Sequence, residues 1–143
     1  MNQQDASLLG AIYKASKMGM QVTKTILDKS NESELKNDIM NQYETYSKTA
    51  RHAGQELIQH GIVPEDNGLL SKAALWGSIQ LNTLGSTNLS QISEMMINGS
   101  TMSIVDLTKK LHDSTDITKD VNHFAKSYIK NEEKNIETLK KYL

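Results

Sequence analysis

Two histidines and a glutamate at helical spacing are the residues of this chain best suited to chemistry. His52, Glu56 and His60 follow one another at intervals of four, so in an α-helix they lie on one face within about two turns. Imidazole nitrogens and a carboxylate at that spacing can chelate a divalent metal. The same face lies off the apolar stripe, beside Lys48 and Gln59, as a solvated polar surface without a ligand also would. Both interpretations stay open at this point.

A second acidic group lies near the end of the chain. It consists of Glu132, Glu133 and Glu137, with lysines at spacings of three and four residues: Lys130, Lys134, Lys140 and Lys141. Such alternation predicts a solvated helix face stabilised by modest ion pairs. General acid–base catalysis would require one of these carboxyl groups to be desolvated, and the pattern gives no indication of that.

Composition excludes several other chemistries. The chain has no cysteine, so disulfides, thiolate nucleophiles, iron–sulfur clusters and cysteine-ligated zinc are ruled out. Phosphate-binding loops, dinucleotide fingerprints and nucleophile elbows are absent from the sequence, which favours a non-catalytic role. With 16 Lys+Arg against 17 Asp+Glu, and Arg51 as the single arginine, nothing favours binding to a nucleic-acid backbone. We therefore expect no nucleic-acid partner.

The start of the chain shows no targeting pattern. Residues 1–7 carry no Lys or Arg, and the apolar stretch that follows is interrupted by Lys14 and Lys17. A signal peptide has a positively charged start and then an uninterrupted apolar run, and a membrane helix needs about 20 apolar residues. We therefore expect no membrane association and a cytoplasmic location. The length of 143 residues predicts a single domain with one core.

The elements that carry these side chains are expected to be helices. One proline in 143 residues and many Lys, Glu, Leu, Met and Ala suit helices and suit strands poorly. Apolar periodicity predicts helices at about residues 5–29, 32–60, 69–84, 87–113 and 117–142. Asp5 is the expected N-cap of the first helix, and Gly61 the expected left-handed C-terminal cap of the second.

Apolar side chains at intervals of three and four define the expected buried face of the first helix: Leu8, Ile12, Ala15, Gly19, Val22 and Ile26. Gly10 and Gly19 each lower helix stability by about 1 kcal/mol relative to alanine. Such a cost is tolerable where a neighbouring helix approaches closely. The first two helices are joined by a short connection, which predicts a long antiparallel hairpin.

The helix predicted over 87–113 contains the strongest short turn signal of the chain, Asn98-Gly99. Apolar spacing nevertheless continues through this dipeptide, from Ile92 and Met95 to Met102. We therefore predict an unbroken helix, with a break at Asn98 as the alternative. Met102 and Val105 are expected among its buried residues.

Two stretches of the chain together resemble a known family. They are Glu56-Leu57-Ile58-Gln59-His60-Gly61-Ile62-Val63-Pro64, which closes the hairpin, and Glu132-Glu133-Lys134-Asn135-Ile136-Glu137 in the last helix. With the helix pattern around them, they resemble the ferritin-like four-helix-bundle families of small bacterial proteins, in particular those with a short extra helix in the central crossover. The resemblance covers nearly the whole chain and implies an antiparallel four-helix bundle. It also implies a di-iron site built from carboxylates and histidines on four helices.

Most residues that this family uses to hold iron are missing here. Two helices of the metal-binding members carry a Glu followed three residues later by His, whereas here Glu132 is followed by Asn135 and Glu44 by Ser47. Residues 6–27, which make up most of the first helix, contain no Asp or Glu. We therefore expect an apolar interior in place of a ferroxidase centre.

These observations predict a non-catalytic ferritin-like bundle without a cofactor. It would act through a protein partner or self-association, for instance as a homodimer along a helix face, or as a structural component. The alternative is a degenerate metal-binding or redox protein that holds iron or another divalent metal. Its ligands would come from His52, Glu56, His60, Glu44, Glu94, Glu132 and Glu133. A weaker alternative is a sporulation-linked coat-type protein, by analogy with other helical bundles and from the Asn-, Lys- and Ile-rich composition.

Overall fold

Four long helices make up the part of the chain that the structure describes. The computed structural model describes residues 1–29, 33–65 and 88–143, and its helices are α1 (Gln3–Lys29), α2 (Ser33–Gln59), α3 (Leu89–Asp113) and α4 (Lys119–Lys140). The all-α prediction is confirmed for these ranges, and every predicted bound of the four helices lies within two residues of the observed one. The short helix predicted over 69–84 lies outside the described residues. Within the described ranges, no helix has both the length and the apolar character needed to cross a bilayer.

The start of α1 is capped by a different residue from the one expected. The Asn2 side-chain oxygen accepts a hydrogen bond from the backbone N–H of Asp5 at 2.7 Å, as an N-cap does. The prediction of Asp5 as N-cap is therefore wrong, because Asp5 lies in the first turn and is buried. Its carboxylate instead accepts a hydrogen bond from the backbone N–H of Thr118 at 3.0 Å. Asp5 thus ties the start of α1 to the start of α4.

The end of α2 follows the prediction. Gly61 has a φ of +73°, a left-handed conformation that glycine adopts without steric cost. Its backbone N–H donates to the carbonyl of Ile58 at 2.9 Å, and the N–H of Ile62 donates to the carbonyl of Leu57 at 2.9 Å. This pair of bonds is the Schellman motif, so the predicted C-terminal cap at Gly61 is confirmed.

Helix α3 runs without a break through Asn98-Gly99, as predicted. Its N-cap is Asn88, whose side chain accepts hydrogen bonds from the backbone N–H groups of Ser90 and Gln91. The turn signal at Asn98-Gly99 is outweighed because tertiary packing of a long helix contributes more than the propensity of one exposed glycine costs.

Two helical pairs assemble the core. Helix α1 packs along α2, and α3 packs along α4. At one end of the bundle the Asn2 side chain donates to the carbonyl of Asp116, in the loop between α3 and α4, at 2.5 Å. Near the other end, Lys141 and Tyr142 bind the carboxylate of Asp38 on α2 at 2.8 Å and 2.5 Å. The two pairs are therefore joined at both ends.

The interior contains two apolar clusters separated by polar side chains. The first cluster is Leu8, Leu9, Ile12, Tyr46, Ala53, Leu57, Leu107, Val121, Ala125 and Tyr128. The second is Ile26, Leu35, Ile39, Ile92, Met96 and Leu139. Along the four helices, buried polar side chains occur where one cluster gives way to the other: Ser16, Thr23, Gln42, Ser100 and Glu132. The expectation of an apolar interior is therefore wrong at the middle of the bundle.

The buried face of α3 differs from the predicted one. Met102 and Val105 are 67% and 44% exposed, so the prediction that they are buried is wrong. The inward positions are held by Met96, Ser100 and Leu107. Two serines on this face, Ser100 and Ser103, interrupt its apolar periodicity. The stripe predicted from apolar side chains is therefore rotated towards solvent.

Candidate functional site

A buried glutamate lies at the centre of the bundle. Glu132 on α4 is only 2% exposed. One of its carboxylate oxygens, Oε1, accepts a hydrogen bond from the Tyr46 hydroxyl on α2 at 2.5 Å and another from the Asn135 side-chain amide at 3.1 Å. The Asn135 amide also lies 3.5 Å from the Tyr46 hydroxyl. These three side chains form a compact hydrogen-bonded group, which we call the central network.

Helix α3 adds serine hydroxyls to the central network. The buried Ser100 side chain lies beside both Glu132 and Tyr46, and its single hydroxyl proton can be donated to either oxygen, which lowers the pKa of each. One turn further along α3, the Ser103 and Tyr128 hydroxyls are 2.8 Å apart. The polar contacts therefore link α2, α3 and α4 at one level of the bundle.

Helix α1 contributes space instead of a polar group. A β-carbon built on Gly19 would lie 2.7 Å from each of three ring carbons of Tyr46. Such a distance is far inside van der Waals contact, so only glycine leaves room for the Tyr46 ring against α1. This explains Gly19, and the structure confirms that a side chain of the neighbouring helix approaches it closely. At Gly10 a β-carbon would meet nothing within 4 Å, so close approach does not explain that glycine.

Burial controls the protonation of the central network. It raises the pKa of Glu132, although hydrogen bonds from Tyr46, Ser100 and Asn135 act in the opposite direction by stabilising the carboxylate. Burial also raises the pKa of Tyr46 well above its usual value, and the neighbouring Glu132 charge adds to this. Tyr46 therefore keeps its proton and donates it to Glu132 in a hydrogen bond. Chemically, the pair can hold a proton between a phenol and a carboxyl group, shielded from solvent.

Glu132 corrects the prediction of a solvated acidic face on the last helix. As predicted, Glu133 and Glu137 are exposed, and Glu137 pairs with Lys140 at 2.6 Å. For Glu132 the prediction is wrong. The sequence contained a signal for this, because Glu132 comes four residues after Tyr128 and four before Ile136, which places it on the apolar stripe of the helix.

The predicted chelating residues of α2 lie at the surface. His52 is exposed, and its ring centroid is 4.7 Å from that of Phe124 on α4. His60 is exposed at the end of the helix, where its Nδ1 lies 2.8 Å from the backbone carbonyl oxygen of Glu56. Glu56 itself is partly buried. In this arrangement the His60 ring is engaged with its own helix end.

The remaining candidate ligands are spread over three helices. Glu44, Glu94 and Glu133 are exposed on α2, α3 and α4, respectively. Among the described residues, no three His, Asp or Glu side chains come close enough together to hold a metal ion. Of the candidates, only Glu132 reaches the centre of the bundle. Its neighbours there are a phenol, a serine hydroxyl and an amide, and this donor set does not fit a di-iron centre, which requires several carboxylates and histidines.

Comparison of the chain with protein-family models, with curated proteins and with solved structures finds no match. The function of the site is therefore inferred from its own geometry and chemistry.

Proposed function

We propose that this chain is a non-catalytic bundle of ferritin-like architecture that works in the cytoplasm through contacts with protein. The observation that carries the proposal is the bonding of Glu132. Its Oε1 atom accepts hydrogen bonds from Tyr46 and Asn135. The central carboxylate is thus occupied by donors of the chain itself, where a metal-binding relative would direct it at iron.

The contacts at the bundle ends support the ferritin-like arrangement. Asn2, at the start of α1, contacts Asp116, just after α3 ends. Asp38, near the start of α2, contacts Lys141, just after α4 ends. These contacts favour α1 antiparallel to α3 and α2 antiparallel to α4. The long connection over residues 60–88 then joins two parallel helices, as the single crossover of ferritin-like bundles does.

In this proposal the central network specifies packing. A buried polar group can fix the register of helices because any slip leaves it without partners. Tyr46 and Glu132 are on different helices, and Gly19 on a third helix accepts the Tyr46 ring. The network therefore favours one alignment of three helices over the slipped alternatives that apolar clusters alone would tolerate.

Exposed apolar side chains support a role in protein contacts. Met102 and Val105 lie on the outer face of α3, exposed by 67% and 44%. We propose that this strip pairs with the same strip of a second copy. In a two-fold pair of antiparallel α3 helices centred between Met102 and Val105, Met102 of each copy faces Val105 of the other, so the exposed apolar side chains cover one another.

Self-association along α3 is tested by placing a charge in the strip. The wild-type protein is expected to have the mass of two chains in light scattering, and Met102→Glu the mass of one, because the glutamate is desolvated at the interface. Met40→Glu on α2, where the methionine is 46% exposed, is the matched control and should stay dimeric. A monomeric wild type, or equal behaviour of the two variants, would rule out this pairing.

Metal analysis separates the proposal from the degenerate metal-binding alternative. Protein from cells grown with added iron, manganese and zinc is expected to contain far less than one metal ion per chain after dialysis, because the Glu132 carboxylate is bonded internally. Stoichiometric metal would overturn the proposal. In that case Glu132→Gln and His52→Ala show which candidate site holds the ion, since only the variant of the true site loses it.

A further inference from the structure

A polar groove of about 460 Å³ runs between α2 and α4, beside the central network. Helices α2 and α4 pack against each other much less closely than the partners within each helical pair, which leaves this space. Its lining includes four carboxamides and two threonines: Asn41, Gln42, Asn131, Asn135, Thr45 and Thr138. The groove thus offers many hydrogen-bonding groups, each able to recognise a polar molecule.

Gln42 is the unusual member of this lining. Its side chain is 4% exposed, and neither its amide nitrogen nor its amide oxygen has a hydrogen-bond partner among the described residues. A buried amide without partners costs free energy relative to an apolar side chain of the same shape. Native proteins satisfy nearly all such groups, so each exception calls for an explanation, and a bound molecule is one. The amide NH2 of Gln42 is a donor and its carbonyl oxygen an acceptor. A second amide can pair with both, because it presents an acceptor to the first and a donor to the second.

Charged side chains at the groove make the recognition more specific. Lys48 and Glu44 lie on the α2 side, and Lys134 lies on the α4 side. None of these three forms an ion pair with another described residue. Asp38 also lines the groove but is bound by Lys141, which, together with Tyr142, keeps the pKa of Asp38 below its usual value despite partial burial. The groove therefore offers two cations and one anion that are not used internally.

We propose that this groove binds a small zwitterion that carries a carboxamide, such as free glutamine or asparagine. Lys48 and Lys134 would receive its carboxylate, Glu44 its ammonium group, and Gln42 its amide. Gln42 would reach the ligand by a change of side-chain rotamer that turns its buried amide towards the groove. Asn135 lies both in this groove and in the central network. The proposal goes beyond the contact role because it adds the binding of a small molecule. It is compatible with a non-catalytic bundle because binding requires no catalysis.

The direct test is a titration followed by NMR of the side-chain amide groups. L-glutamine and L-asparagine are the probes, and L-alanine is the matched probe with the same charges and no amide. The Gln42 amide signal is expected to shift and saturate with L-glutamine or L-asparagine at a dissociation constant of about 1 mM, typical of a few hydrogen bonds. L-alanine should bind at least about tenfold more weakly, since it leaves the Gln42 amide unpaired. Absence of a shift, or equal shifts with L-alanine, would overturn the proposal.

Two variants connect binding to Gln42. Gln42→Met keeps the length of the side chain and removes its unpaired amide, so it should fold with equal or higher melting temperature. Its affinity for L-glutamine, followed through the Asn131 and Asn135 amides, is expected to fall at least about tenfold. Gln55→Met, at an exposed position of the same helix, is the control and should bind as the wild type does. Unchanged affinity of Gln42→Met would contradict the assignment.

Discussion

A valine in place of Gly19 is expected to lower the free energy of unfolding by about 2 to 3 kcal/mol, the upper part of the range for overpacking a filled site. Even the first carbon of the new side chain would lie 2.7 Å from the Tyr46 ring. The ring cannot move away freely because its hydroxyl is bonded to Glu132 on α4. Either α1 shifts outward or the Tyr46–Glu132 bond breaks. Urea unfolding followed by circular dichroism measures the loss.

Gly10→Val is the matched control on the same helix. A β-carbon at Gly10 meets nothing within 4 Å, and valine differs from glycine in a helix interior by less than about 0.5 kcal/mol. The two substitutions therefore change helix propensity equally and differ only in their surroundings. Equal stabilities of the two variants would show that the space beside Tyr46 is not needed.

Local signals in the sequence identified most of the fold. Helix bounds depend on nearby residues, so the glycine cap at Gly61 and the start of α3 beside Asn88 were predictable from the few residues around each. The continuity of α3 through Asn98-Gly99 was predictable because apolar spacing on both sides keeps one phase. Capping of α1 was less predictable, since Asn2 and Asp5 are both good N-cap residues. The choice between them depends on Thr118, which is 113 residues away from Asp5. Its backbone N–H donates to the Asp5 carboxylate, and Asn2 caps the helix.

The central network was harder to predict for a physical reason. Apolar periodicity detects a buried face only where that face is apolar, and the middle of this bundle is polar. Glu132 fits the apolar stripe of α4 by position but was assigned to solvent by residue type. Its burial depends on Tyr46, which is 86 residues away, and no local pattern joins the two. The same limitation applies to Ser100, where the inward face of α3 continues through a hydroxyl.

Removal of the Tyr46 hydroxyl is expected to lower the free energy of unfolding by about 2 kcal/mol near pH 8, since hydrogen bonds to charged groups contribute about 1.5 to 3 kcal/mol. In Tyr46→Phe the ring still fills its site beside Gly19, so the packing loss is small. Glu132 loses its shortest hydrogen bond and keeps those from Asn135 and Ser100. Thermal and urea unfolding over pH 4 to pH 9 measure this effect.

The pH dependence follows from the direction of the Glu132 shift. Burial raises the pKa of Glu132 in the folded protein above its ordinary value of 4.5, so the folded state binds this proton more tightly than the unfolded state. The stabilisation by that proton is complete below pH 4.5 and is lost as pH rises through the folded-state pKa. In Tyr46→Phe the carboxylate is less stabilised, so the pKa of Glu132 rises further and the loss with increasing pH is larger. The cost of the substitution should therefore be greater at pH 8 than at pH 4.

Glu132→Gln completes the test because it keeps an oxygen that accepts from Tyr46 and Asn135 but cannot ionise. This variant should lose the part of the pH dependence that Glu132 causes. The lowered pKa of Asp38 makes stability fall with acidification, and this contribution is the same in both proteins.

In the Glu132→Gln background the bond from Tyr46 is neutral, and neutral hydrogen bonds contribute about 1 kcal/mol. Tyr46→Phe should then cost about 1 kcal/mol less than in the wild type at pH 8, and this difference is the coupling between the two residues. An equal cost in both backgrounds would mean that the Tyr46 hydroxyl does not stabilise a charged Glu132, and the packing role proposed for the central network would then have to rest on shape alone.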